Sequence, residues 1–203
     1  VTDAVVDSVL TAAPPTFSAD EAAAIASEAF GVEGTAMAAD SERDQTFLID
    51  GEQPAVLKIS NAAEDPARLD LEALAAQRVK QLDPQLPVAL PWLVPGTPEY
   101  RAPVRRGTAT HWARMYDRLA GRTDVRGNTL SDEAVGDWGA MAARVGRALR
   151  GLFHPLAQRV MLWDVQHALL LRPMLGAVAD AEVRGLVARA LDRYETIVTP
   201  LWP

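Results

Sequence analysis

AVLKISNAAEDPARLDLEALAAQ, residues 55–77, sets a lysine inside a short apolar run and follows it with a helical pattern. Residues 55–60 are β-branched and aliphatic, as a strand requires. Residues 66–82 carry apolar side chains at helical spacing, with Asp65 as N-cap and Pro66 at the first helical position. Strand alternation puts Val56 and Lys58 on one face and Leu57 and Ile59 on the other. On the helix, Glu72 shares a stripe with Leu69, Ala75, Ala76 and Val79. Both charges thus fall among apolar neighbours, and a buried charge is costly unless paired. Lys58 and Glu72 are therefore expected to pair with each other.

The plain alternative is that Lys58 protects a sheet edge from aggregation and Glu72 is a solvated helix residue. Composition weighs against it. The chain has 20 Lys+Arg, of which only Lys58 and Lys80 are lysine. A lysine kept in an apolar strand by so arginine-rich a chain points to a specific use.

With 203 residues and 49% hydrophobic content, the chain can bury a proper core as one large domain or two small ones. No apolar run is long enough to cross a bilayer, and the first residues lack the basic start of a signal peptide. Zero cysteines exclude disulfides and thiolate metal sites and fit a reducing cytoplasm. A net charge of −7 argues against a general nucleic-acid binder. The histidines, His111, His154 and His167, have no metal-ligand spacing. The chain starts with Val rather than Met, as a processed or excised piece would.

Residues 1–17 read as an Ala/Pro-rich lead-in. Ser18 and Glu21 form a capping box for a helix closed by Gly31. Strands are expected within 32–40, at 46–50 and 55–60 as a hairpin through Gly51, at 88–94 as an edge strand, and at 110–119. Arg114, Arg118, Arg122 and Arg126 recur every fourth residue, a basic stripe if 114–126 were helix, but Gly121 and Gly127 weaken that reading. Beyond Leu130 the chain is helical. Val135, Trp138, Ala142, Val145 and Leu149 line one helix, a short segment covers 163–174, and Asp180 caps a last helix. The fold class is α+β: a small mixed lobe at 18–119, a connector at 120–130, and a helical portion at 131–203. No internal repeat is visible.

The order of these pieces, with the phrases ERDQTF at 42–47, VLKISN at 56–61, Leu119-Ala120-Gly121, Phe153-His154-Pro155 and Leu162-Trp163-Asp164, resembles the aminoglycoside phosphotransferase and choline kinase superfamily, nearest its hydroxylysine kinase branch. The resemblance implies a protein-kinase-like N-lobe, an antiparallel sheet with one key helix, followed by a partial helical C-lobe. It implies ATP and Mg2+ as cofactors, with Lys58 on the α- and β-phosphates and Glu72 fixing its ammonium. The loop 41–45 would cover the phosphates. It has no glycine, so side chains of Ser41 or Gln45 would contribute instead of close backbone approach. Residues 115–119 would form the hinge to the adenine, with Met115, Asp117 and Leu119 among its members.

The family's chemistry also needs an aspartate to orient the acceptor hydroxyl, in a His-x-Asp-x4-Asn type loop, and another for the metal. Neither pattern occurs in 130–203, so no catalytic or metal residue is assigned, and the chain reads as cut just before that loop. Two functions of different class follow. One is the nucleotide-binding part of a kinase for a small-molecule hydroxyl, such as a hydroxylated amino acid or amino alcohol, inactive alone. The other is a non-catalytic binding or assembly module of a longer polypeptide, since relatives occur fused to peptidase-like and aminotransferase-like domains. An unrelated acidic α+β domain is the third, plain possibility. Apolar surface left on the helical part would leave homo-oligomerisation open.

Overall fold

The computed structural model describes residues 12–121, 130–158, 160 and 164–201. They fall into two compact units, Ala12–Ala157 and 158–201.

The first unit is built on a five-stranded antiparallel sheet. Its strands are β1 (Thr35–Ala39), β2 (Gln45–Asp50), β3 (Ala55–Ile59), β4 (Ala102–Arg106) and β5 (Ala109–Asp117), in the spatial order β1-β2-β3-β5-β4. Helix α1 (Ala19–Phe30) precedes the sheet, α2 (Pro66–Leu82) lies between β3 and β4, and α3 (Asp132–Leu149) follows β5. The α+β class is as the sequence indicates. So are the hairpin, the capping box at Ser18 and Glu21, the αL cap at Gly31 (φ 68°) and the Asp65 cap with Pro66 at the helix start.

One strand expectation changes. Residues 88–94 form no strand. They make a single bridge, Pro91 to Tyr116, because Pro87, Pro91 and Pro95 remove the donors that a ladder needs. The edge strand is β4 instead, which carries Pro103, a residue tolerated at an edge. Arg114 belongs to β5 and so cannot start a helical basic stripe, while Arg122 and Arg126 lie outside the described residues.

The main core lies on one sheet face. Phe47, Ile49, Ala55, Leu57, Ile59, Ala113 and Met115 pack with Ala22, Ala26 and Phe30 of α1. Alternation in β3 is as read from the sequence, with Ala55, Leu57 and Ile59 buried and Val56 and Lys58 turned away. A smaller core joins α2 to α3 through Val79, Leu86 and Ala148. Arg144 forks onto Asp83 at the end of α2, and Arg78 donates to the carbonyls of Ala148 (3.1 Å) and Arg150 (2.9 Å) at the end of α3. Helix α3, expected to open the helical portion, thus belongs to the sheet unit. It leaves Val135 and Trp138 exposed.

The second unit holds a 3-10 segment, Val165–Ala177, with Pro173 inside it, and helix α4 (Ala181–Arg193), capped by Asp180. Arg172 bonds Asp192 (2.8 Å) and Glu195 (2.9 Å). No described helix is long and apolar enough to cross a membrane.

Two glycines let β1 and the end of β2 approach closely. A Cβ on Gly34 would lie 2.3 Å from the Asp50 carbonyl oxygen, and one on Gly51 would lie 2.2 Å from that of Glu33. Backbone cannot yield as a flexible side chain does. Gly51→Ala should therefore destabilise the fold by about 1–3 kcal/mol, read as a lower urea midpoint with unchanged m-value. Gly136→Ala on α3, where a Cβ meets nothing within 4 Å, should not destabilise.

Acid should weaken the fold through two carboxylates paired with arginines. The Glu21 pKa is lowered from 4.5, first by the Ser18 backbone N–H and then by Arg106, and that of Asp83 is lowered from 3.8, first by its hydrogen bond to Arg144. A depressed carboxyl contributes stability above its unfolded value and loses it as pH falls through the folded one. Thermal midpoints measured from pH 5 down to pH 2.5 should therefore drop less steeply in Glu21→Gln than in the parent chain.

Candidate functional site

The sheet face opposite the main core is polar, and its centre is a cross-strand triplet. Lys58 on β3 faces Thr46 on β2 and Arg114 on β5. Because side chains alternate, Arg114 shares its face with Trp112 and Tyr116. Arg114 is the buried member, with a side chain 3% exposed. Its Nη1 donates to Glu72 Oε2 (2.6 Å) and to the Tyr116 hydroxyl (2.9 Å), and its Nη2 donates to Asp44 Oδ2 (3.2 Å). The guanidinium carbon stands 5.7 Å from the Tyr116 ring centroid.

The Lys58–Glu72 pair expected from the sequence is not formed. Lys58 Nζ lies 3.8 Å from Asp44 Oδ2, while Glu72 gives its carboxylate to Arg114. The reason is where the Glu72 carboxylate emerges. Glu72 lies on the same helical stripe as the buried Leu69 and Val79 of α2, yet 57% of its side chain is exposed, and there Arg114 Nη1 reaches it. Two cations and two carboxylates thus form one chain, Lys58, Asp44, Arg114, Glu72, in which Asp44 is shared. Sequence reasoning missed Asp44, Arg114 and Tyr116 as members. Strand alternation carried the signal, since it sets Arg114 and Tyr116 on one face of β5.

Burial opposes the Arg114 charge as its largest single influence. Tyr116, Glu72 and Asp44 together outweigh it, and the guanidinium pKa is raised above its ordinary value. For Tyr116, burial is again the largest influence and raises the phenol above 10.0 against the pull of Arg114. The hydroxyl therefore remains a neutral acceptor near neutral pH.

The other residues singled out from the sequence are placed as follows. Ser41 Oγ donates to the Asp44 carbonyl (2.6 Å), closing the turn that presents Asp44. The Gln45 amide accepts from Phe17 N–H (2.6 Å) and donates to Phe17 C=O (3.1 Å), so it secures the segment ahead of α1. Met115 points into the main core, and its carbonyl accepts from Trp92 N–H (2.8 Å). Asp117 N–H donates to the Leu90 carbonyl, and its carboxylate accepts from Leu90 N–H (3.1 Å) and Trp92 Nε1 (2.7 Å). Leu119 is exposed. Lys58 and Glu72 thus come into one cluster, while Ser41, Gln45, Met115 and Asp117 are engaged with neighbouring backbone. Among the described residues, no three His, Asp or Glu side chains converge as a metal-ligand set. No protein-family model and no curated protein matches the chain.

The raised Tyr116 pKa gives a direct check. A difference titration between the parent chain and Tyr116→Phe, followed by tyrosinate absorbance, should isolate a phenol with its midpoint above 10.0. Since the folded state resists its ionisation, stability should fall as pH rises through that window. A midpoint at or below 10.0 would contradict the burial of this hydroxyl against Arg114.

Proposed function

We propose that the sheet unit binds the polyphosphate of ATP at Lys58, as the nucleotide-binding part of a phosphotransferase acting on a small-molecule hydroxyl, such as that of a hydroxylated amino acid or amino alcohol. The observation that carries this reading is the state of the Lys58 ammonium. It sits mid-strand in a charged cluster, its side chain is 38% exposed, and it makes no hydrogen bond among the described residues, with its carboxylate neighbour 3.8 Å away. Such an ammonium has three donors to offer an incoming anion.

The architecture is compatible with this role. Kinase-like phosphotransferases carry their phosphate-binding lysine on the third strand and a glutamate on the helix after it. Lys58 is on β3 and Glu72 on α2, between β3 and β4. Because the Met115 carbonyl and the Asp117 N–H are already bonded to 90–92, pairing with the adenine edge falls to backbone after Asp117, with the Leu119 side chain as an apolar contact. Bound ATP would supply the γ-phosphoryl group. Lys58 would position and neutralise the α- and β-phosphates, and no step is assigned to magnesium.

A second reading, a non-catalytic binding or assembly module, is favoured by one observation: Glu72 holds Arg114 rather than Lys58.

Calorimetric titration with ATP and magnesium separates the two. Under the first reading the parent chain binds saturably, and Lys58→Ala weakens binding at least tenfold, about 1.4 kcal/mol. Equal binding by parent and variant would remove Lys58 from the site. No binding by the parent chain would favour the second reading.

A further inference from the structure

We propose that Arg114 is a positioning residue for Lys58: by holding Glu72 and Asp44 it keeps the lysine ammonium available to an external polyphosphate. The inference rests on the reading of Lys58 as a phosphate-binding residue and says what makes that lysine fit for the task.

Lys58 and Arg114 compete for the same carboxylates. Lys58 and Arg114 are direct cross-strand partners on one sheet face, and two carboxylates lie within reach of the pair. A carboxylate within a few ångströms of a cation attracts it more strongly where water is partly excluded. A flexible lysine beside two unclaimed carboxylates would be drawn onto them. Here the guanidinium holds Glu72 and shares Asp44 with Lys58, at 3.2 Å against 3.8 Å, because its planar fork can hold two acceptors where an ammonium acts as a point charge.

The Tyr116 hydroxyl braces the same Nη1 that holds Glu72. The Arg114 side chain is buried, so it cannot swing out to meet a ligand itself. Stability alone does not explain it. Arg114 Nε is buried without a hydrogen bond, and a buried ion cluster replaced as a whole by apolar residues is often no less stable. The division of labour follows from exposure: Arg114 occupies the acids, and the reachable Lys58 is left with its donors unspent.

The test uses the fact that the chain has only two lysines. Lys80 donates to the carbonyls of Pro84 (2.8 Å) and Leu86 (3.3 Å) at the far end of α2 and serves as the internal control. Acylation of Lys58 relative to Lys80 by an amine-specific reagent is read by mass spectrometry in the parent chain, in Arg114→Met and in Arg114→Met/Glu72→Gln. ATP affinity is measured on the same three proteins. Arg114→Met should lower the Lys58:Lys80 ratio about tenfold as the freed carboxylates capture the ammonium, and should weaken ATP binding by a similar factor. Adding Glu72→Gln should bring both back toward the parent values.

An unchanged ratio in Arg114→Met with the parent's circular dichroism would overturn the inference, as would a double variant no better than the single one. If Arg114→Met does not fold, Arg114→Lys replaces it. That variant keeps the charge but not the fork, and should give an intermediate loss. An unchanged ratio there also counts against the inference. Failure of the parent chain to bind ATP would sink the nucleotide reading, whereas the labelling ratio bears on Arg114 alone, so the two failures are distinguishable.

Discussion

A guanidinium buried in the middle of a sheet must be surrounded by acceptors, and in this protein Arg114 meets that demand by recruiting two other elements. Glu72 comes from α2 and Asp44 from the turn ahead of β2. The helix is thereby tied to the sheet by charge. A second tie works the same way: Arg101, just before β4, forks onto Asp70 of α2 and stacks on Trp112 of β5, 4.5 Å from the ring centroid. Leu69 and Asp70, one buried and one bonded, are adjacent on the helix, so a rotation of α2 that improved one contact would lose the other.

The two faces of the sheet therefore solve different problems. Toward α1 the interior is apolar, and its few buried polar groups are satisfied by backbone. His111 Nδ1 bonds the Ser60 carbonyl (2.9 Å), and the Asn61 amide donates to the carbonyls of Ala12 (3.3 Å) and Ala13 (2.8 Å). Together with the Gln45 bonds to Phe17, these secure the segment that leads into α1. Toward α2 the face is charged and partly open. A rigid, sealed side supporting a polar, reachable one is a sound basis for holding a ligand, because the strands that carry Lys58 and Arg114 are fixed from behind by close packing.

Much of this was legible in the sequence. Caps placed α1, α2 and α4, since Ser18, Asp65 and Asp180 cap through their own side chains, and apolar spacing placed α3. Alternation placed Lys58 on the correct face of β3. What could not be read was pairing across strands. Local pattern does not reveal that β5 lies beside β3, and without that neighbour Arg114 is only one of many arginines. With it, Arg114 stands opposite Lys58 and takes the glutamate that sequence reasoning had given to the lysine. The edge strand was misplaced for the same reason. It was expected at 88–94, although it is 102–106 that has β5 to pair with along its length.

The account stands on the coupling between Arg114 and the carboxylates that hold it. A double-mutant cycle in urea with Arg114→Met, Asp44→Asn and the combined variant measures that coupling directly. The prediction is that Arg114→Met alone is strongly destabilising, by about 3–5 kcal/mol, with a coupling energy of roughly 1–3 kcal/mol between the two sites. Additive effects, with coupling near zero, would mean that the charged cluster does not organise this face of the sheet and would contradict the account.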